Sequence, residues 1–391
     1  MEKINKNLLK FSKKKQAQIS LSNQSTATQL YWKRFFSKKI NIFSLVFLSL
    51  VLLILIGALF FIKYSPIDPI NSSTNLLNNL PSEFSPYVSR NFERGSQLDF
   101  IRHIAELESR RASALGIEPV FRILYDSARD AGGDKTINTD IVTLVYSPYD
   151  LIKAINLNLT QSSNIKIPST LILGTNGDGV DIYSRLVLSI FSTLAILIVA
   201  MMINIFVGFS LASIVALNTR KWYTRVIDSL ATIINSIPEL LWIFLLCVFI
   251  GTQWWGIFLA FALVSWTSFY EIAKSEIIEL RQKEFILSAK ATGYNQSQII
   301  YRQLFKQILT TLLIMVADRL AINILSVSSL AFLDFVNETN NLNIGTIFRE
   351  AMSLIQSNIS YILILTLTIT IFCISLKLFN NSLATTYNPK I

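Results

Sequence analysis

Charge is scarce in this chain: Asp, Glu, Lys and Arg make up 15% of its 391 residues, against roughly 25% in ordinary soluble domains. Histidine occurs once and cysteine twice. So little of either excludes a His- or Cys-built metal centre and a disulfide framework. His103 sits among Arg and Glu in a polar stretch, where a plain surface position is expected. Cys247 and Cys373 both fall inside long apolar runs and cannot bridge an outer segment. No catalytic constellation, no metal site and no cofactor of the chain's own is expected. Acidic residues are outnumbered, 25 against 35 Lys and Arg, for a net charge of +10.

What fills the space is apolar. Hydrophobic residues make up 52% of the chain and mean hydropathy is +0.47. Residues 42–62 carry no charge; at about 1.5 Å per residue such a run just crosses a hydrocarbon core of roughly 30 Å. Residues 187–217, 254–270 and 359–376 are likewise uncharged. Two further runs, about 230–250 and 308–333, are interrupted only by Glu239 and by Asp318-Arg319. Six membrane spans are expected, with span three bent at Pro238, which lacks a backbone donor. About 40 residues precede the first run, so it is expected to be an uncleaved span rather than a signal peptide.

Short loops that keep their positive charge mark the inside. With residues 1–40 as a basic cytoplasmic tail (Lys13-Lys14-Lys15, Lys33-Arg34, Lys38-Lys39), the inner loops carry Arg220, Lys221, Arg225, Lys274, Arg281, Lys283, Lys290, Arg302 and Lys306. The opposite side gets the uncharged Gly251-Thr252-Gln253. Both termini are therefore expected in the cytoplasm. This inside bias, with attraction to anionic lipid, accounts for the positive charge without nucleic acid. After span one (41–63), residues 64–180 form an expected outer domain of small α+β type. Residues 100–115 have helical spacing around Ile101, Ile104 and Ala105, and 139–146 read as a strand bounded by Gly132-Gly133 and Pro148. The loose Asn, Ser and Pro run over 65–86 precedes them.

Three stretches carry functional candidates. Gly174 and Gly179 have the spacing of a phosphate loop, but Val180-Asp181 stands where Lys-Ser/Thr is needed, which rules out nucleotide. Asp318-Arg319 are neighbours about 100° apart on a helix; ionisable residues at that depth, with Glu239, pair structurally or line a polar pathway. Residues 284–293 form a short amphiphilic element. Phe285 and Ala289 share a face beside Ser288, small Ser288, Ala289 and Ala291 let a partner approach closely, and Gly293 ends the helix. Asn295 with Gln298 then opens the next helix.

In register over more than 200 residues, these stretches resemble the C-type permease of ABC importers for dipeptides and oligopeptides. Gly174-Thr175-Asn176-Gly177-Asp178-Gly179-Val180-Asp181-Ile182-Tyr183-Ser184-Arg185 is similar to the family's Gly-Thr-Asp-x-x-Gly-Arg-Asp-x-x-Ser-Arg at the entrance of span two. Asn176 and Val180 depart from it. Trp266 through Glu284-Phe285, Ala289, Ala291 and Gly293 to Ile299-Ile300-Tyr301-Arg302 resembles the ATPase-coupling region, here 271–303, with Leu287, Ser288, Gln303 and Lys306 as departures. Leu330-Ala331-Phe332-Leu333 and Asn388-Pro389-Lys390 echo further family stretches. The resemblance implies an all-helical six-span permease domain over 181–391, half of a pore shared with a B-type sister permease. It further implies two ATP-binding subunits holding ATP-Mg, an extracellular substrate-binding protein, and a peptide substrate at the plasma membrane. An ion-gradient-driven secondary transporter would instead show paired internal repeats, and a membrane-anchored interaction protein would need only one span.

Overall fold

The computed structural model describes residues 27–72, 74–130, 141–159, 171–332 and 342–387. Lys13-Lys14-Lys15, Gly132-Gly133, Leu333 and Asn388-Pro389-Lys390 lie outside the described residues. The chain opens with α1 (Ala27–Ser37), and Lys38 takes an extended backbone that turns it into α2 (Lys39–Leu59).

A small α+β unit follows: β1 (Val88–Glu93), α3 (Ser96–Leu115), β2 (Tyr125–Asp126), α4 (Ser127–Asp130), β3 (Ile141–Tyr146) and α5 (Pro148–Asn158). The three strands form one antiparallel sheet in the order β1-β3-β2, with Val88 opposite Tyr146 and Glu93 opposite Ile141. Leu98, Ile101, Ile104, Glu108 and Ala112 recur at helical spacing along α3 and are all buried. They close over Val88, Val142, Leu144 and Phe121. Residues 65–86, expected to be loose, are instead partly packed: Leu77 and Leu80 join Tyr149, Ile152 and Leu171 in a second small core. Apolar side chains spaced among the Asn and Ser were enough to fix them.

The helical block comprises α6 (Ile182–Leu217), α7 (Trp222–Ser236), α8 (Glu239–Ile250), α9 (Trp254–Val264), α10 (Trp266–Leu280), α11 (Glu284–Ala291), α12 (Gln296–Gln298), a π-helical turn (Ile299–Leu304), α13 (Phe305–Phe332), α14 (Ile344–Ser353) and α15 (Ile359–Tyr387). Among the described residues, five helical stretches are long and apolar enough to cross a membrane: Lys39–Leu59, Ile182–Leu217, Trp254–Leu280, Gln296–Leu330 and Ile359–Thr386. The sixth expected span is the pair α7 and α8, bent by 94°. The break is sharper than a kink because Pro238 pushes the preceding Ile237 out of the helical region, to φ −109° and ψ 136°. α8 alone has 12 residues, about 18 Å of helix.

The helical stretch that begins at Trp254 runs past the uncharged residues to Leu280, with Phe269, Tyr270, Ala273 and Ile277 buried. α10 lies against α6 at Gly208, where a Cβ would stand 2.7 Å from the Trp266 carbonyl oxygen and 2.9 Å from Phe269 Cβ. Only glycine permits that approach.

α6 sets the long axis. At its first turn Arg185 donates to the Pro66 carbonyl, 3.0 Å, beside the α+β unit. At its last turn the Ala216 carbonyl accepts from Arg281, 2.8 Å, at the start of the α11 region. With 36 residues in α6, these two ends stand about 54 Å apart.

Candidate coupling, pore and entrance sites

The glycine-ended helix forms as the sequence predicts. Gly293 has φ +83°. Its N–H bonds the Lys290 carbonyl (3.1 Å) and the Tyr294 N–H reaches back to the Ala289 carbonyl (3.1 Å), the paired closure of a left-handed helix end. Two residues on, Asn295 caps α12, and its own N–H donates to Gln298 Oε1 at 2.9 Å. The side-chain partition differs from expectation. Ala289 is 7% exposed and Ile286 fully buried, in one core with Ile299 and Ile300, so α11 spends that face on its own chain. Phe285 (37%) and Leu287 (54%) are exposed, as are Glu284, Ser288, Lys290, Ala291 and Gly293. Ala289 therefore shapes α11 from beneath. Spacing along one helix does not reveal that Ile286 and Ala289, three apart, would meet the nearer apolar surface.

Behind α12 the π-helical turn holds Tyr301 out from the backbone. Its ring stacks on Phe206 at 6.0 Å and its hydroxyl meets Ser210 Oγ at 3.1 Å, both on α6. π turns inside helices occur disproportionately at functional places.

The three pore candidates do not converge. Arg319 donates to Glu239 Oε2 at 3.0 Å, and Ser265 Oγ donates to Glu239 Oε1. Asp318 turns away and accepts from Lys377 on α15. The roughly 100° between neighbours thus ties α13 to α8 on one side and to α15 on the other. Beside the Glu239 tie opens a cavity of about 650 Å³, lined mainly by apolar groups with Ser328, Ser329, Thr366 and Thr370 among them.

The entrance run is a buried knot. Gly174 (φ +78°) and Gly179 (φ +77°) take the left-handed region, and a Cβ at Gly174 would sit 2.0 Å from the Leu80 carbonyl oxygen. Thr175 Oγ1 accepts from Leu80 N at 2.9 Å and donates to the Leu77 carbonyl. Asp181 caps α6, accepting from Ser184 N at 2.9 Å, and burial pushes its carboxyl up from the usual range. Arg185 pairs with Glu350 of α14 at 2.7 Å, a partner that spacing alone could not supply. Asn176, a departure from the family's Asp, still accepts from Asp178 N (3.0 Å) and Val180 N (2.9 Å). A neutral amide oxygen is sufficient for that turn. Val180 is 3% exposed, so no polar side chain is accommodated there.

Two of the three arginines on α3 are engaged within the unit. Arg102 is bidentate on Asp126 (2.9 and 2.8 Å), and Arg111 on the fully buried Glu108 (2.9 and 2.8 Å). Arg110, paired to Glu106 at 2.7 Å, is in solvent, at 74% exposure. The Arg111 guanidinium, with Val120 N–H and Asn158, brings the Glu108 carboxyl down to about 2.

Residues 205–387, which hold α11, the π turn and all three pore candidates, match the family described as the binding-protein-dependent transport system inner membrane component. Through this region, just under half of its length, the chain is similar to that class of membrane permeases. Among individual relatives, it is 23% identical to the dipeptide transport system permease DppC of Alkalihalophilus pseudofirmus, over 56% of this chain and 71% of that one. It is 23% identical to the glutathione transport permease GsiD of Pectobacterium atrosepticum, over 46% and 60% respectively. A Brucella abortus protein described as a peptide permease matches at 23% identity, and there the chain spans 53% of the relative's length. The chain thus spans about half to two thirds of the length of most of these relatives. A solved chain of the MetNI methionine ABC transporter aligns at 15% identity and a TM-score of 0.42, over 52% of this chain and 96% of its own.

Proposed function

We propose that this chain is a pore-forming permease subunit of an ATP-driven importer of dipeptides or oligopeptides, itself without catalytic activity. The observation that carries the reading is α11. It is a short helix ended by a left-handed glycine, backed by Ile286 and Ala289, and it presents Phe285, Leu287 and Ser288 at one end of the molecule. Within the matched family region, such an exposed element suits the docking of a nucleotide-binding subunit. Two such subunits would hold ATP-Mg, and closure on ATP would move α11 and, through the π turn, α13. The other half of the pore would come from a B-type sister permease. The α+β unit lies at the far end of α6, where we place the outside and a substrate-binding protein that this unit docks or shapes. Both termini are then cytoplasmic.

Purification of the tagged full chain from native membranes tests this. A second permease and ATP-binding subunits are expected to co-purify, with ATP hydrolysis stimulated by peptide-loaded binding protein. A chain recovered without ATP-binding subunits, or a complex indifferent to peptide, would overturn it.

A further inference from the structure

The N-terminal elbow, α1 with the first residues of α2, plays no part in the transport reading above. One side of α1 is spent on the chain itself. Phe35 is fully buried with its ring 6.3 Å from that of Phe379, and Tyr31 donates to the Leu383 carbonyl at 3.3 Å. Asn41 donates to Thr386 Oγ1 (2.9 Å) and Ser44 to Ser382 Oγ (2.8 Å). The elbow is thereby fastened to the end of α15. The adjoining side is bare. Trp32 and Phe36 stack at 5.9 Å and are 42% and 51% exposed. This apolar surface continues into Ile40, Phe43 and Val46 of α2, exposed by 69%, 61% and 56%. Lys33, Arg34, Lys38 and Lys39 flank it, all exposed, and none has an acidic partner among the described residues. The sequence contains no acidic residue between Glu2 and Asp68.

We infer that α1 is a binding element for an anionic bilayer surface, with Trp32 and Phe36 at the border of headgroups and acyl chains and the four cations on lipid phosphates. Depth decides the occupant. α2 is uncharged beyond Lys39, so α1 stands where the span leaves the hydrocarbon, and its bare rings continue the lipid-facing side of α2. Tryptophan prefers that level, and amphipathic helices with basic flanks lie in it. Each cation close to an anionic leaflet raises affinity roughly fivefold. Because the elbow is fastened to α15, lipid held here also fixes the end of the helix that carries Lys377.

The full chain is reconstituted in vesicles of equal parts phosphatidylglycerol and phosphatidylcholine, extracted, and its retained lipid counted by native mass spectrometry. Wild type should keep phosphatidylglycerol in preference. Lys33→Ala, Arg34→Ala, Lys38→Ala and Lys39→Ala, added stepwise, should lower that preference by roughly fivefold each. Replacing the three lysines by arginine should keep it, which separates charge from misfolding. A spin label on Phe36→Cys, with Cys247→Ala and Cys373→Ala, should be reached by dissolved oxygen more than by aqueous nickel complex. No preference for phosphatidylglycerol in wild type, or an unchanged preference in the alanine series, would overturn the inference. So would a label shielded from both reagents in every lipid, since a protein would then cover this face.

Discussion

Gly293 is the residue at which the coupling reading is most exposed to test. Its φ of +83° is open to glycine and costs an ordinary side chain roughly 1–2 kcal/mol, although a Cβ there would meet no atom within 4 Å. Gly293→Val should therefore act through backbone strain alone: insertion is kept, α11 loses its closure, and ATP hydrolysis separates from uptake in vesicles. Uptake equal to wild type would remove Gly293 from the coupling role. Glu108 is a second single-residue case. With its folded pKa near 2 and an unfolded value near 4.3, its contribution is complete above about pH 4.3 and is lost as pH falls toward 2. Hydrogen exchange of α3 and β3 should accelerate across that window. Glu108→Gln should abolish the pH dependence and destabilise the unit by about 3 kcal/mol at neutral pH, because it leaves Arg111 without its buried partner.

At the scale of elements, the break between α7 and α8 has one evident cause. Pro238 forces Ile237 into extended backbone, and nothing else at the break is forbidden to a helix. Pro238→Ala should allow the pair to straighten. Spin labels on Val226 and Val248 should then move from roughly 24 Å apart, for two arms near a right angle, toward about 33 Å for a continuous helix. An unchanged distance would assign the bend to the Arg319–Glu239–Ser265 ties instead. The π turn beside α12 is of the same kind: sequence places a helix there, but the wider turn shows only where Tyr301 reaches Phe206 and Ser210 of α6.

For the whole molecule, what matters is that the α+β unit and α11 lie at opposite ends of α6. A cysteine replacing Ser113, exposed on α3, should react with a membrane-impermeant thiol reagent in intact cells. One replacing Lys290 should react only after permeabilisation. The reverse pattern would invert the proposed orientation and move every partner to the other side.

The sequence alone determined the helical membrane class, the caps and turn of 284–298, the glycine conformation at 293, and the position of the Pro238 break. Each is set by local sterics or by the length of an apolar run, which neighbours hardly alter. Tertiary structure decided which charges meet: Arg185 with Glu350, Arg319 with Glu239, Asp318 with Lys377. It also turned Ala289 inward, and it engaged Arg102 of α3 with Asp126 of β2. These pairs join residues far apart in the chain, and their choice follows from which helices pack together, a property that no periodicity along one segment contains.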